Sequence, residues 1–280
     1  MAYNNYKVKV KAKKIITHFI LMTISLTMLV PFFWMISSSL KTENDMFSVP
    51  PTIIPKKIAF ENYVYMFNGA PWFKYFINTA IVTVFTIIGV LIVSSMAGYA
   101  FAKLRFKGKN LIFLLYIGTM MIPYHVLLLP QTKIIAWLGL IDTHAALIIP
   151  SMFSVFGTFM LRQFFSAIPT SLEDAAKIDG CGYPRIYWEI IIKNSVPALV
   201  TLTIFTFMAA WNDFLRPLIF LHSQELYTLT LGLAKFKGNY TTPWNQMMAG
   251  AFITMIPILL LFFFLQKYFI QSVVTSGMKG

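Results

Sequence analysis

Charge is scarce in this sequence. Only 12% of its 280 residues are Asp, Glu, Lys or Arg, about half the share usual in a soluble domain. A soluble globule of this length needs a charged surface that this chain cannot supply, whereas lipid solvates an apolar exterior. Acidic residues are scarcer still: 10 Asp and Glu stand against 23 Lys and Arg, a net charge of +13. Cys181 is the single cysteine, which excludes an intramolecular disulfide and any cluster of several thiolates on a metal. His18, His125, His144 and His222 are scattered without metal-ligand spacing. The chain has no GxxxxGK(S/T) phosphate loop, no HExxH or GxSxG motif and no paired catalytic carboxylates. Neither ATP binding by such a loop nor an enzyme activity is expected of it.

Long apolar runs are what the sequence has instead. It is 58% hydrophobic, with mean hydropathy +0.69. A membrane helix needs about 20 mostly apolar residues. Six runs lack Asp, Glu, Lys and Arg: Ile15–Leu40, Tyr75–Ala102, Asn110–Thr132, Thr143–Leu161, Asn194–Asn212 and Gly238–Gln266. Each has room for one helix and none for two with a turn. The expected fold is therefore an all-α membrane protein with spans at about 15–38, 76–102, 110–130, 144–161, 195–217 and 246–268. The first run follows Lys7, Lys9, Lys11, Lys13 and Lys14, a start that also suits a signal peptide. It is too long for a signal core and lacks a small-x-small cleavage site, so it reads as a first span.

With the N-terminus inside, the inner connections hold 15 of the 23 Lys and Arg, so both termini are expected in the cytoplasm. The basic residues lie between apolar runs, not in one basic domain, and no recognition motif accompanies them. Lipid is an expected partner and nucleic acid is not. Phe32, Phe33, Trp34, Trp72, Phe73, Trp137 and Trp211 fall near predicted interfaces, as in aromatic belts. Pro31, Pro123, Pro150, Pro197 and Pro257 interrupt spans. Pro123 and Pro150 stand equally as plain kinks or as bends that line a pathway. Ser94, Gly98 and Ala102 form a small-xxx-small stripe suited to close helix packing. With no internal repeat, a single domain over 1–280 is the simplest account.

The connection at 162–196 differs from the others. Pro169 ends what precedes it, and Thr170 with Glu173 has capping-box spacing, which predicts a helix start. Glu173 and Asp174 then lie in the first turn, where carboxylates suit the helix dipole. Gly180 and Gly182 stop the helix after about two turns. Leu172, Ala175 and Ala176 share one face at i, i+3 and i+4, and two alanines let another protein approach closely. The other face mixes Glu173, Asp174, Lys177 and Asp179, and anionic lipid repels such carboxylates. A docking helix for a cytoplasmic protein fits better than a helix lying on lipid. A second helix follows, with Pro184 in its first turn.

The run Asp174-Ala175-Ala176, then Gly180, then Ile190 resembles the EAA loop of ABC importer permeases. Asp174 stands where Glu is usual, and Ile192-Lys193 where Leu-Pro is usual, with Pro197 nearby. Three further stretches are similar to the carbohydrate importer permeases of the maltose (MalG-like) type. They are Ala100 to Gly108, Trp211 to Leu218, and Gly232 through Tyr240 and Trp244 to Ala251; the closing Lys279-Gly280 fits too. The resemblance implies a type I importer permease fold and sugar import by alternating access. It implies as partners a second homologous permease, an ABC ATPase dimer and an extracytoplasmic sugar-binding protein. ATP and Mg would then be used by the ATPase, with no cofactor in this chain. Leu172, Glu173, Asp174, Ala175, Ala176, Asp179 and Gly180 would couple to the ATPase.

Trp211, Asn212, Asp213, Tyr240 and Trp244 are candidate contacts for substrate or the binding protein, Tyr227 beside them. The aromatics suit sugar stacking and interfacial capping equally. Asp213 reads either as a functional carboxylate or as half of an i, i+3 ion pair with Arg216, the second being favoured. An ion-coupled secondary transporter remains the main rival, although such proteins need ionisable groups inside their spans and these spans hold essentially none. An ABC importer for a substrate other than sugar is the other alternative.

Overall fold

In lipid every backbone polar group needs an internal partner, and every described regular element here is helical. The computed structural model describes residues 2–235 and 243–277, with side-chain positions for 11, 13–235 and 243–266. The helices begin with α1 (Ala2–Ser39), α2 (Glu43–Met46), α3 (Glu61–Gly69) and α4 (Trp72–Lys103). Then come α5 (Lys109–Gly118), α6 (Tyr124–Trp137), α7 (Ala145–Ser151), α8 (Val155–Ser166) and α9 (Thr170–Ile178). Helix α10 (Tyr183–Ile186) runs into a π-helical stretch, Tyr187–Ile192. The chain continues through α11 (Val196–Trp211), α12 (Leu215–Phe220), α13 (Leu229–Lys235) and α14 (Trp244–Gly277).

Among the described residues, four segments are long and apolar enough to cross a membrane: Lys13–Ser39, Trp72–Lys103, Ala145–Ser166 and Trp244–Gln266. Two bent pairs raise the number to six if each is one span. The first pair corrects the expectation of one helix in Asn110–Thr132. Lys109–Met121 and Tyr124–Trp137 meet at 101° around Pro123. The proline ring forces the preceding residue out of the helical region, and Ile122 sits at φ −80°, ψ 117°. Pro31, Pro130, Pro150 and Pro257 lie inside helices that continue through them. The second pair, Tyr183–Ile192 and Val196–Trp211, bends by 81°. Pro197 lies in the first turn of α11, where its missing N–H is harmless.

The chain forms two compact units. One comprises residues 1–70 and 236–255, the other 71–235 and 256–280. In the first, Asn62 donates to the Ser39 and Lys41 carbonyls, 2.8 Å each, and accepts from Asn245 at 2.9 Å. Lys41 is fully buried there, its Nζ 4.3 Å from the Trp34 ring centre and bonded to the Thr52 carbonyl.

The second unit is organised on α4, which packs along α7, α8 and α11. At about 1.5 Å per residue its 32 residues run about 48 Å, well beyond a hydrocarbon core of about 30 Å. The expected small-residue stripe is a packing surface: an added Cβ at Gly98 would lie 3.1 Å from the Arg162 backbone nitrogen. Gly157 of α8 answers from the other side, where a Cβ would lie 2.7 Å from Ser94 Oγ. One apolar cluster joins Tyr99, Leu161, Phe165, Ile168, Ala176, Ile186 and Tyr187. A second, joining Val82, Ile135, Leu147, Phe220 and Leu231, underlies the loop after α12.

Candidate functional site

The helix predicted after Pro169 is present as α9, Thr170–Ile178. Of the two glycines expected to stop it, Gly180 does so, whereas Gly182 lies extended at the start of α10. Gly180 has φ +78°, a left-handed conformation that side chains resist. The Cys181 N–H bonds the Ala176 carbonyl at 2.9 Å and the Gly180 N–H bonds that of Lys177 at 3.0 Å. These two bonds make a Schellman cap, which satisfies carbonyls left open at a helix end.

The start of α9 differs from the expected capping box. No side chain caps it, and Pro169 occupies the cap position. Glu173 turns inward instead and meets Lys103, the last residue of α4, at 2.6 Å between Nζ and Oε1. The two side chains are 4% and 8% exposed. The contact is ionic and lacks the alignment of a hydrogen bond. Lys103 also donates to the Ile168 carbonyl at 2.7 Å. Glu173 and Ala176 are the buried residues of α9. Ala176 therefore leaves the face on which the sequence put it and packs into the core with Phe165, Ile168 and Ile186.

The outward face is carried by Leu172, Ala175 and Ile178, with Leu172 44% and Ile178 87% exposed. Asp174 and Asp179 are exposed beside it, and Asp174 pairs with Lys177 at 3.2 Å. Tyr183 and Trp188, which follow α9 in the chain, are exposed as well. Behind them Tyr187 is buried, its hydroxyl 2.7 Å from Ser95 Oγ of α4. The π-helix covers the positions up to Ile192, where the sequence departs from the family's Leu-Pro.

The second candidate group lies elsewhere in the same unit. Trp211 is buried, edge-on to Phe76 and stacked on Phe207. Asn212 is exposed and donates to the Met208 carbonyl at 2.9 Å. Asp213 and Arg216 form the i, i+3 pair, Oδ2 to Nε 2.6 Å. Arg216 also bonds Ser151 and lies 5.8 Å from the Tyr124 ring centre. Trp244 is 41% exposed in the other unit. Tyr240 and Lys279-Gly280 lie outside the described residues.

Sequence reasoning missed two anchors. Lys103 figured in it only within the Ala100 to Gly108 stretch and among the inner basic residues. Asp142 did not figure at all. Its carboxylate accepts from the His222 and Ser223 backbone N–H groups, 2.8 and 2.9 Å, and from the Ser223 hydroxyl. Those donors, the Ser223 side chain foremost, hold its pKa down to about 2. Nearby, Lys74 meets Glu225 at 2.7 Å and holds that carboxyl below its ordinary value. No signal local to Asp142 points to partners 80 residues away.

Neither group of residues sets a nucleophile beside a base. Among the described residues no cluster of three His, Cys, Asp or Glu is placed to hold a metal. What the second unit offers is a small rigid apolar face on a capped helix, at the end of a long membrane helix. Residues 91–275 match the model of a binding-protein-dependent transport system inner membrane component. The chain is 36% identical over 262 residues to the arabinooligosaccharides transport system permease protein AraQ of Bacillus subtilis (strain 168), covering 92% of this chain and 93% of that one. It is 30% identical over 270 residues to the sn-glycerol-3-phosphate transport system permease protein UgpE of Yersinia enterocolitica, covering 94% and 96%. Its fold is similar to that in the crystal structure of a bacterial ABC transporter involved in the import of the acidic polysaccharide alginate. There the TM-score is 0.81 at 24% identity, over 92% of this chain and 97% of that one. The ion-coupled reading falls with these findings: the chain belongs to the inner membrane components of binding-protein-dependent ABC transport systems.

Proposed function

We propose that this chain is one of two membrane subunits of an ATP-driven importer for sugars, in the range of di- and oligosaccharides. It crosses the membrane six times with both ends in the cytoplasm, each bent pair counting as one span. The single observation that carries the coupling part is the outward face of α9, Leu172, Ala175 and Ile178, exposed on a helix stopped by Gly180. An exposed apolar face rimmed by charge fits a protein partner better than solvent. Burying the exposed Ile178 in a cleft of a partner contributes about 1.5–3 kcal/mol, and the half-buried Leu172 proportionately less, before the cost of association. The partner is an ABC ATPase dimer, which binds ATP and Mg and moves α9 as it closes. An extracytoplasmic binding protein delivers the sugar, and a second permease completes the pathway. Relatives named for arabinooligosaccharides and glycerol phosphate, and a fold neighbour named for alginate, support a carbohydrate or sugar derivative as cargo.

Affinity purification of the tagged chain from its native membrane in mild detergent tests the assembly. Recovery of an ATPase and a second permease is the expected result, and a chain that emerges alone overturns the reading. Ala175→Trp puts an indole in the centre of the docking face. It is expected to abolish ATPase recovery and sugar uptake while the chain still inserts; normal uptake would remove α9 as the docking element.

A further inference from the structure

We propose that the buried Lys103–Glu173 pair is the strut that makes α9 and α4 move as one body, so that Glu173 and Lys103 are positioning residues for coupling. The proposal rests on the reading of α9 as the ATPase-docking helix. It adds how a displacement of that helix enters the membrane bundle.

The attachment of α9 to the rest of the chain is narrow. Its only buried residues are Glu173 and Ala176. Ala176 contributes one methyl group, which resists compression but slides under shear. The ion pair does what the methyl cannot. Lys103 ends α4, and its Nζ meets both the Glu173 carboxylate, at 2.6 Å, and the Ile168 carbonyl just before α9, at 2.7 Å. One ammonium thus holds the helix by its first turn and by the chain leading into it. With both side chains under a tenth exposed, water does not screen the pair. Separating it would strand two charges in an apolar setting. The ion pair therefore resists pulling as well as pushing, and a helix driven in both directions in each cycle needs that.

The neighbouring carboxylates divide the work. Asp174 has a side chain 65% exposed and faces outward with Lys177. Glu173 is turned away from the apolar docking face, so its charge is spent inside the chain. A load on Leu172, Ala175 and Ile178 passes through Glu173 to Lys103. It then passes into a helix of 32 residues that packs along α7, α8 and α11.

The test uses the complete importer, reconstituted in vesicles, with Glu173→Gln and Lys103→Gln. Three quantities are read: ATPase retained on purification, ATP hydrolysed, and sugar taken up per ATP. The expected result is full ATPase retention, with uptake per ATP lower by about tenfold or more. Because either variant strands a buried group, a second design keeps the question open to refutation. In a Cys181→Ala background, Lys103→Cys with Glu173→Cys is joined by a reducible bifunctional thiol reagent. Uptake per ATP is expected to return on joining and to be lost on reduction, a reversal that a merely structural defect does not show. Unchanged uptake per ATP in the single variants, with the ATPase bound, overturns the strut and leaves the docking reading intact. Loss of ATPase from those variants also overturns it, since the pair would then shape the docking face itself. Failure of the unmodified chain to hold an ATPase overturns the docking reading instead.

Discussion

Glu173 and Gly180 sit seven residues apart on one short helix, and only one of them does what its spacing predicts. Gly180 stops the helix because its own backbone must adopt φ +78°, a local requirement written in one residue. Glu173 has capping-box spacing from Thr170, but its carboxylate turns inward to the ammonium of a lysine 70 positions earlier. Spacing along the chain cannot reveal a partner that only folding brings near. Gly180→Val tests the local element cleanly. An added Cβ there has nothing within 4 Å, so the cost is the backbone conformation alone, about 1–2 kcal/mol. Uptake is expected to fall while membrane insertion persists, and Gly180→Asn, which tolerates the left-handed region, is expected to fall less. Normal uptake in the valine variant would separate the helix stop from coupling.

Asp142 allows a test by pH. Its folded pKa is lowered, so the carboxylate's contribution is present above the unfolded value and lost as pH falls through the folded one. Asp142→Asn removes the charge and tolerates the local φ of +60°. The melting temperature of the purified chain is expected to exceed that of the variant by a constant margin above about pH 5. The margin should close as pH falls to about 2. A margin independent of pH would mean that the carboxylate is not charged in that turn.

At the scale of elements, the apolar runs were legible and their interruptions only partly so. Residues 110–132 carry no charge, and an uncharged run of that length matches one span. Pro123 divides it into α5 and the longer α6, of 10 and 14 residues. At about 1.5 Å per residue neither reaches across a core of about 30 Å. Hydropathy does not report direction, so a bend of 101° leaves its average unchanged. Pro31 and Pro257, with the same chemistry, leave their helices unbroken, so a proline alone did not identify the break. The small residues were more reliable, because close approach needs a missing side chain wherever it occurs. Gly98→Val is expected to destabilise the second unit by about 1–3 kcal/mol, since its Cβ meets backbone that cannot rotate away. Thermal unfolding in detergent measures it, with Gly118→Val, which meets nothing within 4 Å, as the control for valine itself.

For the whole molecule, class was the most legible property of all. Scarce charge and long apolar runs state that lipid is the solvent, and no tertiary contact can alter that. Segment Lys13–Ser39 makes the point: none of its most apolar window is buried within the chain, a surface tolerable only in lipid or against a partner. The proposed topology rests on the uneven placement of Lys and Arg and is open to direct measurement. In a Cys181→Ala background, Lys57→Cys is expected to react with a membrane-impermeant thiol reagent added to intact cells. Lys107→Cys is expected to react only after permeabilisation. The reverse pattern would invert the orientation.

The knot around Asn62 has a consequence for the order in which the chain is built. Asn62 holds the Ser39 and Lys41 carbonyls and is itself held by Asn245, 183 residues further on. A ribosome delivers the first of these partners long before the last. Until α14 emerges, the Asn62 side-chain oxygen lacks the donor that completes it in the finished fold. The segment synthesised first is therefore among the last to be finished. A chain truncated before Asn245 would leave that oxygen unpaired, a chemical record that synthesis stopped short.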